Sequence, residues 1–152
     1  MQDYILVLLL AAMPISELRG AIPAALTYFD FSPIQSYALA VAGNLIPVPI
    51  LLWFLPKFFG YLRQRFEFVR KVFDWYFGWL EARNASSFKK WGALALLLFV
   101  AVPLPLTGAW SGAILAFLFR IPFWQAFAMI SGGVAIAGVL VLAGSLGVIR
   151  FI

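Results

Sequence analysis

Glu17 and Arg19 stand two residues apart in the stretch SELRGAIP, residues 16–23, between the apolar runs YILVLLLAAM and AALTYFDF. A carboxylate there can take up a proton or a cation, and a guanidinium can hold a phosphate or another anionic head group. At the centre of a bilayer each charge costs roughly 2.5–3.5 kcal/mol, so neither can face lipid. Either the two form a buried ion pair that fixes a turn, or they line a polar cavity where substrate or an ion binds. Two uncharged groups join them as candidates. Thr107, in VPLPLTG, offers a hydroxyl, and nearby prolines release backbone carbonyls. Asn44 is the only asparagine in a long apolar run and must point inward, for binding or, like Ser131, for a helix–helix hydrogen bond. The chain has neither histidine nor cysteine, which excludes a Ser/His hydrolase, disulfides and thiol chemistry. With six acidic residues and no close pair of them, a metal centre is not expected, nor a cofactor, nor an enzyme.

The elements that must position these groups belong to a membrane. Of 152 residues, 64% are hydrophobic and 11% charged, against about 45–50% and about 25% in soluble domains. A soluble core of this length could not bury so much apolar surface. The opening MQDYILVLLLAAMPIS lacks the basic head of a signal peptide, so this run is expected to stay in the folded chain.

The net charge of +5 resides entirely between residues 57 and 90, where Lys57, Arg63, Arg65, Arg70, Lys71, Arg83, Lys89 and Lys90 face Glu67, Asp74 and Glu81. The positive-inside rule makes this segment cytoplasmic. Within it Val69, Val72, Phe73, Tyr76, Trp79 and Leu80 recur at helical spacing opposite Glu67, Arg70, Lys71, Asp74, Gly78 and Glu81. That predicts an aromatic-rich amphipathic helix, lying in the interface or packed on the membrane domain. Its basic residues are too diluted by aromatics for nucleic acid to be the partner.

On either side the chain repeats itself at an offset of 89: Pro14 on Pro103, Ala24 on Ala113, Leu26 on Leu115, Pro33 on Pro122, Gly43 on Gly132. Repeat one covers 4–56 and repeat two 91–150, making one membrane domain with the basic segment 57–90 between them. Each repeat has two short apolar arms around a break, 4–13 and 21–31, then 91–102 and 109–119. One longer run follows, from Ile34 to Leu55 and from Phe123 to Ile149. Ten helical residues rise about 15 Å, half the hydrocarbon core of about 30 Å. Pro14, Gly20 and Pro23 mark the first break, and Pro103, Pro105 and Gly108 the second. Each broken run is either a kinked span, giving four spans, or a re-entrant hairpin. Charge placement satisfies both, since Arg120 and Arg150 simply exchange sides, but the paired prolines favour the hairpin. The expected fold is thus an all-α integral membrane protein of two inverted repeats. Each would be a re-entrant helical hairpin plus a transmembrane helix, joined by a cytoplasmic amphipathic helix. Small residues from Gly132 to Gly147 predict close packing of the last helix, against its own chain or in a homo-oligomer, with a dimer favoured.

SELRGAIP and VPLPLTGAWSG together resemble the small multidrug export proteins, which are similar to the larger DedA superfamily of VTT-domain proteins. The resemblance spans about residues 5–150. It implies two opposed re-entrant hairpins, a multi-pass protein of the prokaryotic cytoplasmic membrane, and membrane lipids as partners. For the relatives it implies translocation of lipid phosphates coupled to protons. Glu17 matches the acidic residue of the DedA first hairpin, whereas the arginines of their second hairpin have no counterpart in VPLPLTG. The expected function is a small transporter carrying a lipid phosphate or another amphipathic anion. The alternatives are a proton-coupled exporter of small cationic drugs and a non-transporting scaffold built on the amphipathic helix.

Overall fold

The computed structural model describes residues 1–82, 85–104 and 107–151, with side chains for 1–78, 91–104 and 107–150. Among the described residues there are eight helices and no strand: α1 (Gln2–Ala12), α2 (Glu17–Thr27), α3 (Pro33–Leu45), α4 (Pro47–Arg65), α5 (Glu67–Ala82), α6 (Ala85–Ala101), α7 (Ala109–Leu118) and α8 (Phe123–Phe151).

Proline explains most of the boundaries. Pro14, lacking an N–H, falls in the turn between α1 and α2. Pro33 opens α3 behind a capping box in which Ser32 and Gln35 satisfy each other's backbone N–H groups. Pro47 interrupts the first long run at Ile46, so α3 and α4 form one jointed element; together Pro33–Arg65 is 33 residues, about 50 Å long. Among the described residues, this element and Phe123–Arg150 are the two stretches long and apolar enough to cross a membrane. Gly20 and Pro23, expected in the first break, lie inside α2, where the Pro23 carbonyl accepts the Thr27 hydroxyl at 2.8 Å. In the second break Pro103 and Gly108 flank the turn, while Pro105 lies outside the described residues.

Helix α1, with 11 residues, is about 16 Å long and packs beside α2. The rings of Tyr4 and Phe31 lie 4.7 Å apart, so past the end of α2 the chain has returned to the level of its start. Two turns then repeat a backbone device. Asp30 before α3 and Arg120 before α8 both adopt the left-handed conformation, each with φ 51°. The packing repeats as well. Gly43 of α3 admits Leu8 and Ala11 of α1, and Gly133 of α8 admits Leu97 and Val100 of α6. Across the halves the arrangement is reciprocal: α2 packs on α8 and α7 packs on α4. The contacts are lined by alanines, among them Ala11, Ala21, Ala25, Ala40, Ala109, Ala113 and Ala126, all fully buried. Small side chains let backbones approach where lipid supplies no hydrophobic drive for association.

The basic segment 57–90 is divided among three helices rather than forming one linker. Its first part extends α4 to Arg65, and its last begins α6. Helix α5 carries the amphipathic pattern and shows three faces. Phe73 and Phe77 pack inward on Phe117 of α7, Glu67, Arg70, Lys71 and Asp74 form a charged face, and Phe68, Val72 and Trp75 form an exposed apolar stripe. The reading in which this helix packs on the membrane domain accounts for Phe73 and Phe77, while the stripe of Phe68, Val72 and Trp75 stays exposed. Arg120 lies 4.2 Å over the ring of Phe77, which puts the α7–α8 turn at the end of the molecule that holds α5. Of the glycines expected to mediate packing of the last helix, Gly132, Gly133 and Gly138 meet α6 and α3, whereas Gly144 and Gly147 face open space.

Candidate functional site

The two chain breaks meet. Glu17 is the first residue of α2, held in a left-handed conformation with φ 45°, and is only 4% exposed. For a residue with a Cβ this conformation costs on the order of 1–3 kcal/mol, and such strain collects at functional sites. Its side chain crosses to the second break. Oε1 lies 3.5 Å from the backbone N–H of Trp110 in the first turn of α7, where unpaired amides and the helix dipole favour a negative charge. Oε2 lies 3.8 Å from a guanidinium nitrogen of Arg19. On a regular helix residues two apart diverge. Here the distorted backbone at Glu17 lets the two side chains converge.

Gly108 makes room for this carboxylate. Its backbone is extended, so no left-handed requirement applies, but a Cβ there would stand 1.8 Å from Oε2 of Glu17. A second tie runs the other way: the Trp110 indole N–H donates to the carbonyl of Ala12 at the end of α1, at 2.9 Å. Each break is thus held by a group from the other.

The carbonyls that the breaks release are used within the chain. Leu10 accepts the Ser16 hydroxyl, and Ala12 accepts Trp110. Thr107, expected to present its hydroxyl to a substrate, instead closes its own turn. Its oxygen lies 2.6 Å from the Val102 carbonyl and 2.8 Å from that of Leu104, and accepts the Leu104 N–H at 3.0 Å. It shapes the break and has no donor to spare.

Glu17, Arg19, Asn44 and Thr107 nevertheless line one small cavity, closed by Leu18, Val100, Pro103, Gly108, Val134, Ala137 and Val141. Its volume is about 10 Å³, near the space of a single water-sized group. Asn44, 1% exposed, has no hydrogen-bond partner for its Oδ1. The jointed element breaks at Ile46, two residues beyond it. On the other side of the Glu17–Arg19 pair lies a larger depression of about 420 Å³, lined by Pro14, Ile15, Trp110, Ser111 and Ile114 along with Glu17 and Arg19 themselves. Glu17 and Arg19 therefore border both the inner cavity and the outer depression, each otherwise lined mainly by apolar groups. No group of three or more carboxylates capable of holding a metal occurs among the described residues. Sequence reasoning does not assign Trp110, and it places Gly108 at the break without giving it this role. Their roles depend on a backbone amide and on empty space, which residue identity does not advertise.

A helical bundle with two apolar elements long enough to cross a membrane among the described residues, and with a Glu–Arg pair between its helix breaks, points to the class of helical membrane proteins. More particularly, residues 17–140 match the family model described as "Putative small multi-drug export protein", and the chain belongs to that family. No curated protein and no solved structure matches the chain.

Proposed function

We propose that the protein is a small transporter of the cytoplasmic membrane that moves an amphipathic anion such as a lipid phosphate. In this reading the Glu17–Arg19 pair is the gate between the inner cavity and the outer depression. The observation that carries it is the position of that pair: Glu17 is buried, strained and reaches the second chain break, Arg19 beside it is partly exposed, and both line the cavity on either side. Arg19, the more exposed partner, receives the anion when Glu17 takes a proton and gives up the ion pair, and the anion is displaced when Glu17 loses that proton and pairs with Arg19 again. The jointed α3–α4 element supplies the hinge.

The proposed topology is a pair of oppositely oriented repeats whose short helices re-enter from the face they came from. Three observations support it. Helices of about 16 Å cannot cross a core of about 30 Å. Tyr4 meets Phe31 at the base of the first hairpin, and Arg120 meets Phe77 beside the basic helix. The reciprocal packing of α2 on α8 and α7 on α4 is what a two-fold relation between the halves would produce. The basic face of α5 then borders the cytoplasm. A homodimer belongs to the same reading, with Gly144 and Gly147 of α8 leaving room for a second copy.

Purified protein in liposomes with labelled lipid phosphates tests the proposal. Glu17→Gln and Arg19→Ala should each slow translocation by about tenfold or more, a loss of about 1.4 kcal/mol per decade. Translocation at the wild-type rate in the double variant would overturn it. The family's description favours a second reading, proton-coupled export of cationic drugs. There Glu17→Gln alone abolishes transport, while Arg19→Ala, removing a like charge from the cargo's path, leaves it intact or faster.

A further inference from the structure

Asn44 of α3 is 1% exposed, and its Oδ1 has no hydrogen-bond partner in the chain. A buried acceptor left unpaired is costly, so in a folded chain it marks a place where something else binds. A second observation lies on the wall of the same inner cavity. Arg19 and Glu17 approach one another to only 3.8 Å, beyond the range of about 2.7–3.2 Å of a direct N–H···O bond. The other carboxylate oxygen lies 3.5 Å from the Trp110 N–H, also at the long end. Polar contacts of such length commonly have a water beside or between them.

Glu17, Arg19 and Asn44 share a space of about 10 Å³, close to the least that holds one water. Thr107, the fourth polar side chain on the wall, is committed to its own turn. Leu18, Val100, Val134, Ala137 and Val141 close the rest, so anything polar inside must lie against the other three. A carboxylate and an amide oxygen only accept, and a guanidinium only donates. The occupant therefore needs two donors and one acceptor. A metal ion supplies neither donor and would meet the Arg19 guanidinium as a like charge.

We infer that this cavity is the site of one bound water, which donates to Asn44 Oδ1 and to the Glu17 carboxylate and accepts an N–H of Arg19. Three hydrogen bonds are the usual complement of a buried water. Asn44 is then a positioning residue for the gate. Its oxygen takes one hydrogen of the water and turns the other toward Glu17, which favours the carboxylate in place to rejoin Arg19. Asn44 stands two residues before the joint at Ile46, so the same water ties the gate to the hinge between α3 and α4. The site stands on geometry alone, whereas its effect on flux rests on the gate reading.

A crystallographic map of the full chain in lipid, at a resolution that shows ordered water and with rubidium replacing sodium, tests the site. Wild type should show one peak within about 3.2 Å of Asn44 Oδ1, a Glu17 oxygen and an Arg19 nitrogen, without anomalous scattering. Asn44→Leu should lose the peak, and Asn44→Ser, which keeps an oxygen and adds room, should retain it. An empty wild-type cavity, a peak that survives in Asn44→Leu, or rubidium at the peak would each overturn the inference. Flux of labelled lipid phosphate in liposomes tests the positioning role. Asn44→Leu should lower kcat and KM together by about two- to tenfold, what one hydrogen bond is worth, because the pair re-forms poorly and release slows. A folding defect lowers kcat alone, and Asn44→Ser should restore both constants. The peak with unaltered kinetics in Asn44→Leu would overturn the positioning role, and unaltered kinetics in Glu17→Gln as well would overturn the gate reading with it. Altered kinetics without a wild-type peak would overturn the water and leave the gate.

Discussion

Gly108 and Glu17 illustrate how a single position can govern a distant charge. The carboxylate occupies the volume where a side chain at 108 would begin, so Gly108→Ala must push it off the α7 amides. We expect Gly108→Ala to lose as much translocation as Glu17→Gln and to lower stability by about 1–3 kcal/mol, the usual cost of forcing an extra methyl into a packed site. Flux in liposomes and thermal unfolding check the two parts separately. Asn44 invites a complementary substitution. Its Oδ1 is buried without a partner, so Asn44→Leu should unfold no more easily than wild type yet transport more slowly. A loss of stability with unchanged flux would show the amide to be a structural bond instead. The polar residues of the site were legible in the sequence because a charge or amide in an apolar run has few tolerable places to go. Thr107 shows the limit of that argument. Sequence reasoning identified a hydroxyl beside broken backbone, but those broken carbonyls are themselves the hydroxyl's partners.

Helix against helix, the decisive residues are small. A Cβ at Gly43 would stand 2.6 Å from the Leu8 carbonyl, and one at Gly133 would stand 2.7 Å from Cβ of Val100. Gly43→Ala and Gly133→Ala should each cost about 1–3 kcal/mol. Gly144→Ala, in open space, should be neutral or stabilise α8 by up to about 1 kcal/mol. Denaturant titration in mixed micelles orders the three. The short arms and the two long runs were legible from apolar length and proline spacing. The extension of α4 to Arg65 was not. Charged residues from Lys57 onward read as a linker, whereas Pro56 stands inside α4 and lacks the N–H of a regular helix. The helix survives that missing hydrogen bond because its continuation is held from outside. Lys57 lies 3.5 Å over the Trp53 ring, Phe59 stacks on Phe117, Arg63 pairs with Asp74, and the basic last turn suits the helix C-terminus.

For the molecule as a whole, the charge pattern allows two topologies, and the pair of re-entrant hairpins is the one proposed here. Summing charges on each face gives the same tally for hairpins and for four spans, because Arg120 and Arg150 trade places. The contact of Arg120 with Phe77 is a three-dimensional fact that no tally contains. The chain has no cysteine, so single cysteines can be introduced without background. Arg120→Cys should react with an impermeant maleimide from the same face as Lys71→Cys, and Asp30→Cys from the opposite face. Labelling of positions 120 and 71 from opposite faces would favour four spans. The offset of 89 was visible in the sequence, yet its meaning lies in the exchange between halves. Helix α2 rests on α8 and α7 on α4, so each half supplies the seat for the other's shortest piece. Severed within the α5–α6 connection, neither fragment alone could shelter its own turn from oil. Co-produced, the two should find one another and restore activity, as complementary halves of one lock.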